Sequence, residues 1–435
     1  MDKLAYYGFE VAPSRRHNQG DTMAPVHLSR FPVLGPDGQI VGYDLQVRSH
    51  SPALPAAEPL PRIPEKNELV AAIGHPAFGA LGGGLPLYFR VSEDLLADPA
   101  VRELVPGEVV VCFSGASWSG DAAAWINEWR QAGGAVAVDV GDPQDAADLS
   151  DPRVDLVRLD VGGHDNLNEL SGWLSPLAQA GKRLMAVGVH DRGVHDICRH
   201  HGIRLFVGQF FAQAVNVTTE SLPAQTRTLF RLFNLLGTKG DVKDIAAAFQ
   251  EHPQLTNRLL AFVNSGGFRL RREVESVRQA LVMLGQKTIQ KWVALLLYSG
   301  DLQQDVRQPL LEESMVRGRL MELAAEELEK DDALADDAFI VGALSVLQPL
   351  LGRPLDQLVK EMGLDREVTR ALIDHEGDLG QLLDAVTACR RWRDPADMPS
   401  PDAQRLPSGE LAVLEERAVL EIEELESGQR IRESG

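Results

Sequence analysis

No apolar run in this 435-residue chain reaches the roughly 18 residues that a membrane-spanning helix needs, so membrane insertion is not expected. The N-terminal stretch MDKLAYYGFEVAPSRRHNQG lacks the apolar core of a signal peptide, and the chain reads as cytoplasmic. Cysteine is scarce. Cys112, Cys198 and Cys389 stand far apart with no CxxC pair, which excludes a disulfide framework and a zinc ribbon and fits a reducing compartment. Positive charge is in deficit: the formal net charge of −20 gives a surface that repels phosphates and disfavours nucleic acid as a partner. RLRR at 269–272 is the local exception, and it reads first as a solvated loop. Walker, Rossmann and Ser-His-Asp patterns are missing, and no heptad persists far enough for a coiled coil.

What is present is the composition of a globular protein, 44% hydrophobic and 24% charged, in a chain long enough for two or three domains. Eight short runs rich in Val, Ile, Leu and Phe read as strands: VHLSRFPV, GQIVGYDLQVRS, PLYFRVS, EVVVCF, GAVAVDV, VDLVRLDV, KRLMAVGV and IRLFVGQF. Helix-like segments between most of them predict repeated β-α units, a parallel sheet and a barrel or barrel-like closure. Pro36, Asp37 and Gly38 form a tight turn, so the first two strands should be an antiparallel hairpin. The Pro-rich stretch 50–66 is a loop inserted in this part.

Beyond about Pro223 the period becomes helical. Ile289, Trp292, Val293 and Leu296 make one apolar face, Asp241 is placed to cap a helix, and Gly237 and Gly285 punctuate helices. Further helices are expected over Glu312–Leu328, Asp336–Leu350, Pro354–Met362, Arg366–Asp374 and Leu379–Trp392. ELAVLEERAVLEIEELE near the C-terminus is an acidic amphipathic helix, open to packing on the body or on another chain. The expected division is a flexible segment 1–27, an α/β domain 28–216, an all-α domain 217–393, and 394–435 as linker and acidic helix.

FPVLGPDGQIVGYDLQVR at 31–48 resembles the opening of the EAL domain, the bacterial cyclic di-GMP phosphodiesterase barrel. A strand through Asp139, DLVRLD at 155–160, MAVGVHD at 185–191 and LFVGQFF at 205–211 follow in the same order. HPQLTNRLLAFVNSGGF at 252–268 and SVRQALVMLG at 276–285 resemble the HDOD domain, a relative of the HD phosphohydrolases. Together these cover about 28–393 and imply a degenerate EAL-like (β/α) barrel followed by an α-helical HDOD domain.

The EAL resemblance implies divalent metals held by oxygen ligands at strand ends. Aligned by motif, Asp44 stands for the signature glutamate, Arg90 for an asparagine, Cys112 and Val187 for glutamates, Asp139–Val140 for paired aspartates, and Arg158 for the lysine. His190 stands where the family has a second glutamate, and Asp160 is kept. Asp44, Asp139 and Asp160 are what remains of the pocket, and no metal or other cofactor is expected. Arg158 cannot serve as a general base at ordinary pH. In the helical half, Ser345 and Val346 replace the adjacent His-Asp metal pair that the HD resemblance implies. Asp374–His375 reads as surface, and His190, His195, His200 and His201 lack the spacing of a metal-binding helix face.

The leading expectation is a non-catalytic signalling protein that contacts other signalling proteins through its HDOD domain, with Asn264, Ser265 and Gly266 as candidate contact residues. A cyclic di-GMP or other anionic-nucleotide receptor using Arg48, Arg90 and Arg158 is the alternative. An active cyclic di-GMP phosphodiesterase ranks third. A homo-oligomer is compatible with the helical surfaces.

Overall fold

The computed structural model describes residues 26–49, 65–115, 118, 120–140, 151–162, 171–172, 174, 182–213, 222–238, 240–264, 273–298, 307–329, 332–390 and 408–433. All eight expected strands form: β1 (Val26–Leu34), β2 (Ile40–Ser49), β3 (Leu87–Arg90), β4 (Val109–Phe113), β5 (Ala135–Val140), β6 (Leu156–Asp160), β7 (Arg183–Val187) and β8 (Leu205–Val207). They close into a barrel in sequence order. The sheet is not wholly parallel. β1 runs antiparallel to both β2 and β8, and every other neighbour pair is parallel. The Pro36–Gly38 turn imposes this reversal: Gly35 N–H donates to the Gln39 carbonyl at 2.8 Å, and Gly38 supplies the φ of 73°.

Helices α1 (Lys66–Ile73), α2 (Gly120–Gln131) and α3 (Arg192–His200) flank the barrel. The helical half contributes α4 (Ala224–Gly237), α5 (Val242–Gln250), α6 (Pro253–Asn264), α7 (Val277–Leu296), α8 (Arg307–Glu329), α9 (Asp332–Leu344), α10 (Leu347–Leu351), α11 (Leu355–Met362), α12 (Arg366–Ile373) and α13 (Gly377–Cys389). Asp241 caps α5, accepting from the Lys243 N–H at 2.8 Å. Gly285, at φ 79°, breaks α7 into two pieces. Ile289, Trp292 and Val293 of the expected apolar face are buried, and Leu296 is half-buried.

The helix expected over Asp336–Leu350 is two helices, α9 and α10, separated at Ser345–Val346. Pro349 gives the reason, since its ring clashes with the carbonyl four residues back and it donates no hydrogen bond. The acidic helix α14 (Ser408–Glu433) packs on the body, against α8 and β1. One apolar core runs from the barrel's outer face through the helical half, and a second fills the barrel with Phe31, Val33, Tyr88, Met185, Val187 and Val207 among others. None of the helices, among the described residues, is long and apolar enough to cross a membrane.

Candidate functional site

Residues paired directly across neighbouring strands share a face of the sheet. Asp44 pairs with Phe31 and Tyr88, Arg90 with Cys112, Arg158 with Asp139 and Met185, and Asp160 with Val187. Since Phe31, Tyr88, Cys112, Met185 and Val187 belong to the barrel's inner core, this set converges inside the barrel.

Arg158 is the centre of the site, with no exposed surface. Its NH2 donates to Asp44 Oδ1 at 2.6 Å, and its Nε lies 3.3 Å from Asp139 Oδ1. Asp139 is shared, because its Oδ2 accepts from Arg90 Nε at 2.8 Å. Burial acts against the Arg158 charge, but Asp139 and Asp44 outweigh it and hold the guanidinium protonated well above its ordinary range. Burial pushes the Cys112 thiol up to about 12. The thiol is therefore an inert neighbour at neutral pH. Asp160 accepts from the Gly162 N–H at 3.1 Å, closing a loop at the strand end. Three donors in this region make no hydrogen bond within the described residues: Arg158 Nε, Arg158 NH1 and Gln46 Nε2, all buried. The Arg48 side chain lies outside the described residues.

This donor set does not fit a divalent metal. Such an ion needs several oxygen ligands. A guanidinium lies against Asp44 and Asp139, while Cys112 and Val187 supply a thiol and a methyl surface in place of oxygens. A fixed cation at Arg158 repels a dication directly.

At the corresponding place in the helical half, Ser345 Oγ donates to the Gly342 carbonyl at 2.7 Å and accepts from Arg317 NH1 at 3.1 Å. Arg317 and Arg390 both pair with the buried Glu313, at 2.6 and 2.7 Å. Burial alone would raise the Glu313 pKa, but Arg390 and Arg317 bring it down to about 2. Arg390 also meets Glu415 of α14 at 2.8 Å. Asn264 clamps the chain beyond α6, donating to the Val274 carbonyl at 2.9 Å and accepting its N–H at 2.8 Å. Ser265, Gly266 and Arg269–Arg272 lie outside the described residues. His375 is exposed beside Asp384, and His195 stacks on Phe210 with ring centroids 4.3 Å apart.

Sequence reading missed the Glu313–Arg390–Glu415 cluster and its companion, in which Arg30 meets Glu312 at 3.0 Å and Glu423 at 2.7 Å. One signal was available. Glu415 falls on the same helical stripe as Leu411, Ala418 and Ile422, and a carboxylate there demands a buried cation.

Residues 222–351 match the HDOD domain family. Over 386 residues the chain is 27% identical to the cyclic di-GMP phosphodiesterase CdgJ of Vibrio cholerae, covering 86% of this chain and 87% of that protein. It is also 27% identical over 206 residues to the uncharacterized protein YuxH of Bacillus subtilis, covering 46% of this chain and 50% of that one. The chain thus spans about half the length of YuxH. The EAL domain of Mycobacterium smegmatis DcpA aligns with a TM-score of 0.32 and 17% identity, covering 42% of this chain and 90% of that one. A closed eight-stranded barrel followed by an HDOD domain defines the class. The chain joins such a barrel to a segment that matches the HDOD family, and over most of its length it is similar to a cyclic di-GMP phosphodiesterase.

Proposed function

We propose that this chain is a non-catalytic cytoplasmic signalling protein. In this reading a degenerate EAL-like domain (28–216) serves an HDOD domain (217–393) that contacts other signalling proteins. The observation that carries the reading is Arg158, whose buried guanidinium lies against Asp44 and Asp139 where the family resemblance puts metal. A phosphodiester hydrolase of this kind needs an activated water and a neutralised phosphate. Arg158 can supply charge but cannot take a proton at ordinary pH. Purified protein is assayed with cyclic di-GMP and Mg²⁺ or Mn²⁺. No turnover is expected, and turnover at enzyme-like rates overturns the proposal in favour of an active phosphodiesterase.

The receptor reading is second, and the unfilled donors favour it. Arg158 NH1 and Gln46 Nε2 are buried and make no hydrogen bond within the described residues, and Arg90 shares Asp139 with Arg158, so an anionic ligand would find oriented N–H groups. The relationship to CdgJ makes cyclic di-GMP the first ligand to try. Calorimetry separates the cases: saturable binding that Arg90→Glu abolishes supports a receptor, and absence of heat removes it.

A further inference from the structure

Helix α14 carries carboxylates where a docked helix usually carries only aliphatic side chains. Glu415, Glu416 and Glu423 are buried on it beside Leu411, Ala418 and Ile422. A carboxylate leaves water only when it is matched. Each of these is matched, and the partners come from both halves of the molecule. In β1, the Leu28 N–H donates to Glu416 at 3.0 Å and the Ser29 hydroxyl to Glu415 at 2.9 Å, while Arg30 lies 2.7 Å from Glu423. From the helical half, Arg390 meets Glu415 at 2.8 Å and Arg319 meets Glu421 at 2.6 Å. Neither half alone offers this set.

The groove also has a definite place on the barrel. Ser29 pairs with Gln46, two residues beyond Asp44 toward the C-terminal end of β2. β8 ends at Val207, and just past it Gln209 donates to the Arg390 carbonyl at 2.6 Å. The Arg390–Glu415 pair therefore closes on the rim between β1 and β8, on the side to which Asp44 and Arg158 belong.

We infer that Arg30, Arg319 and Arg390 line a composite docking groove for an acidic amphipathic helix, which residues 408–433 of the chain fill as a releasable latch over the barrel rim. Release is feasible because the charges on both faces rehydrate when the helix leaves. Arg30 keeps Glu312 and Arg390 keeps Glu313, so the emptied groove retains countercharge.

Native-state hydrogen exchange on the intact chain tests the release. Amides of Leu411–Ile422 should exchange at least ~10-fold faster than those of β4–β7, because the helix departs while the barrel stays folded. A synthetic peptide of residues 408–433 then probes the groove. A chain carrying Glu415→Gln and Glu423→Gln should bind it at least ~10-fold more tightly than the unmodified chain, whose groove is filled. Adding Arg390→Met to that chain should abolish binding. The inference fails if α14 exchanges only together with β4–β7, or if a peptide with Glu415, Glu421 and Glu423 changed to Gln binds as well as the native one. Should the variant chains not fold, the exchange comparison on the unmodified chain decides alone.

Discussion

Two of the buried arginines, Arg390 and Arg158, are satisfied very differently. Arg390, at the junction of α13, α8 and α14, donates through Nε and NH2 to Glu313 and through NH1 to Glu415. Its guanidinium fork is filled, and the neighbouring Arg317 balances the second negative charge. Arg158, inside the barrel, makes one hydrogen bond to Asp44 and a looser ion pair through Nε to Asp139, while its NH1 makes no hydrogen bond within the described residues. A fully connected buried network is a structural device, because every member left over would cost free energy. A partly connected one of the same charge type is a place where something else can bind. Arg390 thus sits in a filled charge network where α14 docks, and Arg158 in a partly filled one inside the barrel.

Arg390→Met should have the largest effect. It leaves Glu313 and Glu415 buried without their principal cation, and removing one partner of a buried pair costs about 3–5 kcal/mol. Denaturant unfolding followed by circular dichroism should show the midpoint fall and α14 lose protection. A near-neutral outcome would break the distinction between the two arginines. Arg158→Met should cost less, about 3 kcal/mol, because it strands one buried carboxylate, Asp44, while Asp139 retains Arg90. The same variant leaves Asp44 and Asp139 facing each other without the guanidinium. Mn²⁺ should therefore raise the melting temperature of Arg158→Met and leave that of the unmodified chain unchanged. Equal stabilisation of both proteins would mean that Arg158 is not the counter-ion it is taken to be.

The two centres should also fail at opposite ends of the pH scale. Glu313 is lowered from 4.5 to about 2, so it contributes stability that is full above pH 4.5 and is lost as the pH falls toward 2. Cys112 is raised from 9.0 to about 12, so its contribution is full below pH 9.0 and is lost as the pH rises toward 12. Thermal unfolding across both windows should show an acid limb that Glu313→Gln flattens and an alkaline limb that Cys112→Ala flattens. If either substitution alters the opposite limb, the two centres are coupled rather than separate.

Most of the architecture was legible in the sequence because it rests on local signals. Val-rich runs of strand length, the Pro-Asp-Gly turn, the Asp241 cap and the Gly285 break each follow from a few adjacent residues. The composition of the barrel site was legible for the same reason, since Arg90, Cys112, Asp139 and Arg158 sit at recognisable strand positions. What could not be read was which charges meet. Arg30 and Glu423 are 393 positions apart, and nothing in their neighbourhoods names the other. The break at Ser345 was readable from Pro349, but the apolar residues Val346, Leu347 and Leu350 beyond it carry on the pattern of 338–344 and obscure it.

Arg90 provides the smallest expected effect and the sharpest use of the comparison. Its pair with Asp139 at 2.8 Å is partly open to solvent, so screening limits its contribution to about 1 kcal/mol or less. Arg90→Gln should leave the unfolding midpoint almost where it was, because the glutamine can still hydrogen-bond and Asp139 keeps Arg158 within 3.3 Å. If the barrel interior is the ligand-binding centre, the same substitution should weaken capture of an anion far more than it weakens the fold. A loss of stability near that of Arg390→Met would instead make Arg90 part of the structural framework, and the contrast between a filled and an unfilled arginine would no longer separate the scaffold from the site.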